Sequence, residues 1–265
     1  MTLLRHQVKS DRGGLISWAV LTGLTAWFMV YMFDIMVSSG ILDYLSQLVE
    51  SMPPAWRAVW GGNAGVLSLG GWARDFLYGI IGPLIFTIYV GTYVAGLVTR
   101  ESDQHNLEFL LSLPVERVQV ILTKWLSLLA GLATLQVVLA TIVAVSVGKT
   151  ALASLPGFVW ANVNMFLMFT AVGSLLLLIS LFIDDYPRGT AVSLGLALAM
   201  FFLNFVLQDS PGAAIRRVLP QYYFDTVKVM SGNAVPWGNL AVLAGATAVF
   251  LAGSLYIFSR KQIAN

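Results

Sequence analysis

The chain has 265 residues, of which 58% are hydrophobic and only 11% are charged. Soluble domains contain about 25% charged and at most about 50% apolar residues, so a chain of this composition needs lipid as part of its solvent. A formal net charge of +2 is too small to indicate a protein that binds nucleic acid. The absence of cysteine excludes disulfides, and two histidines leave little basis for a metal site.

Six long apolar stretches predict an all-α, polytopic membrane protein with six transmembrane helices. Each stretch contains a run of about 20 uncharged residues, which is the length that crosses the hydrocarbon core of a bilayer. Helices are expected because every backbone amide and carbonyl must be paired inside lipid. The predicted spans, which form one transmembrane domain over residues 1–265, cover residues 14–37, 76–98, 125–147, 158–183, 189–207 and 237–258.

The basic N-terminal segment and the loop charges predict how the chain lies in the membrane. Residues 1–13 mix apolar and basic side chains, which predicts an interfacial helix attracted to anionic lipid. The apolar core that follows is too long for a cleaved signal peptide. Nine of the 15 Lys and Arg residues lie on the side of the two termini. The positive-inside rule therefore predicts cytoplasmic termini, in the plasma membrane of a prokaryote.

Two loops on the predicted outer side carry patterns of their own. Residues 41–50 have apolar side chains at helical spacing, which predicts a helix in the membrane interface that ends before Pro53 and Pro54. Before the last span, Ile215 to Leu219 form a short apolar stripe that Pro220 ends. This second segment fits either a shallow re-entrant hairpin or an interfacial elbow, and the sequence does not choose between them.

The inner loop between the second and third spans predicts a short helix followed by an elbow. Glu101, His105, Glu108 and Ser112 share one helical face, and leucines form an apolar stripe beside it. Pro114 cannot continue that helix but is well placed to begin the next one. A short helix at residues 101–113 would thus join two transmembrane helices, so that a soluble partner pushing on it would move both.

This segment resembles the inner loop of the permease subunits of ATP-binding-cassette exporters of the six-helix, type-two class. An acidic residue, here Glu101, begins the family's loop, the string Leu107-Glu-Phe-Leu-Leu-Ser-Leu-Pro-Val-Glu-Arg117 follows, and Lys124 closes it. The family usually has Gly-Thr where this chain has His105-Asn106. The resemblance implies that residues 101–113 are a coupling helix in a cleft of an ATPase. The residues that it assigns to coupling are Glu101, Asp103, Gln104, His105, Glu108, Leu111, Ser112, Pro114 and Arg117.

The chain lacks the Gly-x4-Gly-Lys-Ser/Thr loop that cradles nucleotide phosphates. The chain itself is therefore expected to be neither an enzyme nor a holder of a cofactor. The resemblance implies that ATP and magnesium bind a separate ABC ATPase subunit, present in two copies. It also implies a second permease copy or a homologous permease, with membrane lipid as the remaining partner and no nucleic acid. In this interpretation the chain forms the substrate pathway of an ATP-driven exporter.

Polar residues in the predicted spans are candidates for the substrate pathway, because such groups are costly in lipid. They either line a path or bridge neighbouring helices. Small residues in the fifth span form two stripes, which fit either packing within the subunit or contact with a second copy; the resemblance favours the first and fifth spans as the dimer seam. The candidate pathway residues are Asp34, Gln136, Asn162, Asn164 and Asn204; the stripes are Gly189, Ser193, Ala197 and Ala191, Gly195, Ala199.

Two other functions fit a polytopic membrane protein. An ion-gradient-driven secondary transporter or channel usually has internal repeats and membrane-embedded charges, and neither feature is convincing in this sequence. An intramembrane enzyme needs paired catalytic groups at membrane depth, and the sequence shows no such pair. The exporter interpretation is therefore preferred, and the class of its substrate stays open.

Overall fold

The computed structural model of the chain describes residues 2–41, 44, 47–48, 51, 53, 69–103, 117–151, 155–208, 212–231 and 235–260. Every regular element within these ranges is helical. Helix α2 comprises residues 69–103 and includes an α-helical turn, Leu69–Trp72, a π-helix, Ala73–Ile81, and an α-helix, Gly82–Asp103. The other helices are α1 (Thr2–Ser38), α3 (Arg117–Ala151), α4 (Leu155–Ser180), α5 (Tyr186–Val206), α6 (Thr226–Ser231) and α7 (Trp237–Arg260), with 3₁₀ turns at Ala213–Val218 and Pro220–Tyr223.

Helices α1 to α5 and α7 are long and apolar enough to cross a membrane, which confirms the predicted six-span, all-α architecture. Short α6 and the two 3₁₀ turns form a compact elbow between α5 and α7. The apolar stretches that qualify as spans are Asp11–Ser38, Leu69–Leu97, Val118–Ser146, Pro156–Ser180, Tyr186–Val206 and Trp237–Arg260.

Helices α4 and α5 each begin three residues before their predicted starts, and the first three helices depart further from the prediction. The segment 1–13 was expected to be a separate interfacial helix, but α1 runs without a break from Thr2 to Ser38. Helices α2 and α3 begin before the predicted residues 76 and 125, because their first turns contain charged residues that the uncharged-run criterion rejects. The predicted coupling helix 101–113 lies largely outside the described residues, and its first residues, 101–103, continue α2.

Helices α2 and α4 form the centre of the bundle. Their spans are the most buried of the six, whereas α1 and α7 are the least buried. Helix α2 packs most extensively on α5 and also contacts α4, while α1 lies on α3 and α7 lies on α4. The core between them contains the fully buried side chains of Phe86, Tyr89, Leu128 and Phe169. The outward faces of α1 and α5 expose large apolar side chains such as Trp27 and Phe202.

Close contact between α2 and α5 depends on a glycine. A Cβ atom added at Gly91 of α2 would lie 2.8 Å from the Cα atom of Leu194 on α5. Small residues commonly allow such close backbone approach between membrane helices. The position of α2 against α5 is therefore set by backbone contact, which side-chain rearrangement cannot relieve.

The π-helix of α2 ends where a proline interrupts the hydrogen-bond ladder. Pro83 has no amide hydrogen to donate to the preceding turn, and the amide of Gly82 bonds to the carbonyl of Leu77, five residues earlier. The Thr87 hydroxyl donates to the carbonyl oxygen of Pro83 at 2.7 Å. Pro83 thus lies just after the end of a wider helical segment, and such segments are frequent at functional sites.

Candidate functional site

Two of the predicted pathway amides join helices in the interior of the bundle. The amide nitrogen of Gln136 on α3 donates to the side-chain oxygen of Asn162 on α4 at 2.6 Å. The Tyr78 hydroxyl on α2 donates to the same oxygen at 3.0 Å. Asn162 in turn donates to the carbonyl of Phe158, one turn earlier in α4, at 2.8 Å. These contacts join α2, α3 and α4, which is the arrangement expected of amides that bridge neighbouring helices.

Asn164 anchors the elbow that precedes α7. It is completely buried, and its side-chain nitrogen donates to the carbonyl oxygen of Tyr223 at 3.0 Å. Asn239, near the start of α7, donates to the same carbonyl at 2.9 Å. The Tyr223 hydroxyl donates to the carbonyl of Arg217 at 2.8 Å. The elbow is therefore fixed to α4 and α7 through its own backbone, an arrangement that fits either a shallow re-entrant hairpin or an interfacial elbow.

A cavity of ≈ 450 Å³ lies beneath this elbow, at the end of the bundle opposite the chain termini. Helices α2 and α5 form two of its walls. The elbow, including α6, and the start of α7 line most of the remainder. Its polar lining includes Asp75, Asn204, Arg216, Gln221, Lys228 and Asn239. Cavities of this volume fall within the range of about 300–1,000 Å³ that small-molecule sites occupy.

Ion pairing neutralises most of the charge around this cavity. Asp75, whose side chain is only 1% exposed, accepts two hydrogen bonds from Arg74, at 2.6 and 2.9 Å. Such a bidentate pair is what makes a buried carboxylate tolerable. On the elbow, the ammonium of Lys228 lies 3.1 Å from a carboxylate oxygen of Asp225. Asp225 also accepts from the amide of residue 228 at 3.0 Å and so caps α6.

Arg216 is the remaining cation of the cavity wall. Its Nε atom donates to the side-chain oxygen of Asn204 at 3.1 Å, and its guanidinium lies 5.5 Å from the centre of the Tyr222 ring. Within the described ranges it pairs with no carboxylate. The wall therefore has one positive charge that no carboxylate of the described residues balances.

Gln221 is the most unusual polar residue of the cavity wall. It is 5% exposed, and neither its amide nitrogen nor its amide oxygen has a hydrogen-bond partner among the residues that the structure describes. Buried polar atoms without partners are rare, and each one costs about 1–3 kcal/mol. The cavity wall thus contains a donor and an acceptor that the described residues do not satisfy.

Of the five predicted pathway residues, Asn204 alone lines this cavity. Asp34 is exposed on α1, and the other three lie in the contacts described above. Sequence reasoning missed Asp75, Arg216 and Gln221. The pair Arg74-Asp75 beside an apolar run was a signal for Asp75, but the search for uncharged runs excluded it. No pattern in the sequence marks Gln221.

A second polar cluster lies near the chain termini, beside the predicted coupling segment. The Tyr93 hydroxyl on α2 donates to a carboxylate oxygen of Asp11 on α1 at 2.8 Å and lies 3.2 Å from the Ser127 hydroxyl on α3. The buried ammonium of Lys124, on α3, donates to the carbonyl oxygen of Leu97 on α2. Three helices are therefore joined where the loop between α2 and α3 leaves the bundle.

Most residues assigned to coupling lie in that loop and outside the described residues: Gln104, His105, Glu108, Leu111, Ser112 and Pro114. Glu101 and Asp103 belong to the last turn of α2, and Arg117 begins α3. Their coupling roles stay predictions.

Comparison with known protein families gives a match that covers most of the chain. The sequence profile of a family described as "ABC-2 family transporter protein" matches residues 21–263, which is nearly the whole chain. A comparison with curated protein sequences found no match.

Proposed function

The chain belongs to the ABC-2 transporter family of permeases, and we propose that it is the membrane-spanning subunit of an ATP-driven exporter. In this role it forms the substrate pathway and is coupled to a separate ATPase subunit. The family consists of transport membrane subunits, and an ABC ATPase is their general partner. ATP and magnesium would bind that partner, with no cofactor on this chain.

The contacts that join α2 to α3 beside the predicted coupling segment are the observation that carries this proposal. Lys124 bonds to the carbonyl of Leu97 on the two helices that flank the predicted coupling segment. Tyr93 connects the same region to Asp11 of α1. Because these contacts join the helix ends, a force applied to residues 104–116 would act on α2 and α3 together. Since α2 also forms a wall of the cavity at its other end, one helix connects the proposed coupling region with the proposed substrate pathway.

Packing of α5 supports a second permease copy. The small-residue stripe of Gly189, Ser193 and Ala197 is buried within the subunit, so it is occupied by internal contacts. The other stripe, which contains Ala191, Gly195 and Ala199, is exposed. An exposed small-residue stripe on a membrane helix suits close contact with another helix. We therefore expect two permease copies, each with its two termini in the cytoplasm of a prokaryotic cell. The complex would also contain two ATPase copies.

Co-expression with the ATPase encoded by a neighbouring gene tests the coupling role. Charge reversal Glu108→Lys should break the complex or uncouple ATP hydrolysis, because the coupling face would meet its partner with the wrong charge. Arg260→Glu, an exposed charge reversal at the same end of the bundle, is the matched control and should leave the complex intact. A fully coupled complex with Glu108→Lys, or ion-driven flux by the chain alone in liposomes, would contradict the proposal.

A further inference from the structure

We propose that the cavity beneath the elbow binds an amphiphilic anion, with its charged head at Arg216 and Gln221 and its apolar part along Phe201 and Phe205. This inference concerns the ligand of a cavity within a single subunit. It goes beyond the transport role, because binding requires neither the ATPase nor a second copy. The charge balance, the state of Gln221 and the composition of the walls each contribute to it.

Charge balance selects an anion. Asp75 and Lys228 are each neutralised by a neighbouring residue of opposite charge. Among the residues that the structure describes, Arg216 has the neutral partners Asn204 and Tyr222 and no carboxylate partner. A guanidinium carries five N–H donors in a fixed fork that matches a carboxylate or a phosphate, and the contact with Asn204 uses one of them. Donors therefore remain for an anionic group.

Gln221 supplies the second contact to the head group. Its amide is buried in the cavity wall without a partner in the described part of the chain. The amide nitrogen can donate two hydrogen bonds to anionic oxygens, and the amide oxygen can accept one from a hydroxyl or from water. A ligand with a polar head can satisfy this amide directly, whereas a purely apolar ligand leaves it without a partner.

The remaining walls select an apolar tail. Phe201 and Phe205 on α5, Met168 on α4 and Phe224 in the elbow line the cavity beside its polar groups. A small inorganic anion would leave this apolar surface in contact with water, whereas an acyl or aromatic tail would cover it. A carboxylate or a phosphate fits the head-group position, and the source of the ligand is either a membrane lipid or a soluble amphiphile.

Binding to the purified full-length chain in a nonionic detergent tests the proposal. The probe is dansyl-labelled undecanoic acid, and its methyl ester is the neutral control. We expect the ester to bind about tenfold more weakly, and Arg216→Gln to weaken binding of the acid by about tenfold, as for loss of a charge-assisted hydrogen bond. Gln221→Leu should also weaken binding of the acid. Arg217→Gln removes the same charge from the adjacent exposed residue, which does not line the cavity, and should change the affinity less than about twofold.

Equal binding of the acid and the ester, or equal losses in Arg216→Gln and Arg217→Gln, would overturn the proposal. If Gln221→Leu does not fold, as judged by its thermal transition, the affinities of Arg216→Gln and Arg217→Gln for the acid still test the proposal. Lipid nanodiscs separate the two sources. Displacement of the probe by phosphatidylglycerol but not phosphatidylcholine supports an anionic lipid, whereas displacement by neither supports a soluble amphiphile; equal displacement by both contradicts the site. Because no ATPase is present, failure of this test is distinct from failure of the coupling role.

Discussion

The side-chain amide nitrogen of Gln136 lies 2.6 Å from the side-chain oxygen of Asn162, across the contact between α3 and α4. Gln136 is buried, and the same oxygen accepts from Tyr78. The three side chains thus form one hydrogen-bonded cluster in which the Asn162 oxygen accepts from both partners, while the side-chain oxygen of Gln136 has no partner among the described residues. This arrangement shows why uncharged amides are retained in the membrane-spanning helices of this chain without lining the cavity.

A double-mutant cycle of Gln136→Leu and Asn162→Leu measures this contact. Hydrogen bonds between membrane helices contribute about 0.6 kcal/mol on average and at most about 1.7 kcal/mol. We expect a coupling energy within that range, and a larger single effect for Asn162→Leu, because Asn162 also contacts Tyr78 and Phe158. The free energy of unfolding of the four proteins in detergent provides the values. Strict additivity would show that the two amides act independently.

Gly91→Ala is expected to separate α2 from α5. The added methyl group would lie 2.8 Å from the Cα atom of Leu194, so backbone must move, and we expect a loss of about 1–3 kcal/mol in the free energy of unfolding. Gly245→Ala, at an exposed position of α7, is the matched control, since a Cβ atom there meets nothing within 4 Å. It should change the free energy of unfolding by less than about 0.5 kcal/mol. The reverse order of effects would contradict the helix contact.

Bulky substitutions on α5 should separate subunit folding from dimer formation. Ser193 is completely buried, so Ser193→Leu overpacks the subunit and should lower the midpoint of thermal unfolding. Gly195 is exposed, so Gly195→Leu should leave this midpoint unchanged and convert a dimer to monomers, as measured by light scattering in detergent. A dimer that survives Gly195→Leu would place the seam on another surface.

The natural absence of cysteine allows single-cysteine labelling to determine the orientation. The side chains of Lys228 and Arg188 are 85% and 82% exposed, at opposite ends of the bundle. With cytoplasmic termini, a membrane-impermeant maleimide should label Lys228→Cys in intact cells and label Arg188→Cys only after lysis. The opposite pattern would place the termini outside the cell and remove the proposed coupling segment from the reach of a cytoplasmic ATPase.

The number and type of membrane helices could be predicted from the sequence because length and lack of charge are strong requirements of the lipid environment. Helix boundaries were less accurate where charged residues lie inside a helix. Arg74 and Asp75 compensate each other, and Lys124 reaches a backbone carbonyl. A charge that is satisfied by its neighbours does not end a helix, and this satisfaction depends on the three-dimensional structure.

The candidate site was harder to predict than the fold. Polar residues such as Asn162 and Asn204 look equivalent in the sequence, but one bridges helices and the other lines the cavity. The separation depends on helix rotation, which the periodicity of an almost wholly apolar helix does not define. Arg216 and Gln221 belong to an elbow whose position is set by backbone contacts to Tyr223, and no sequence pattern encodes such contacts.

The π-helix Ala73–Ile81 makes α2 shorter along its axis than an α-helix of the same residues would be. Turns closed between residues five apart hold more residues than α-helical turns. If the segment rewound to α-helix, the same residues would span a greater distance along the axis, and almost all of their amides would stay hydrogen-bonded. Rewinding would also rotate Asp75 about the axis relative to residues beyond Gly82. An axial force on α2 at the end beside the predicted coupling segment would therefore change the shape of the cavity at its other end.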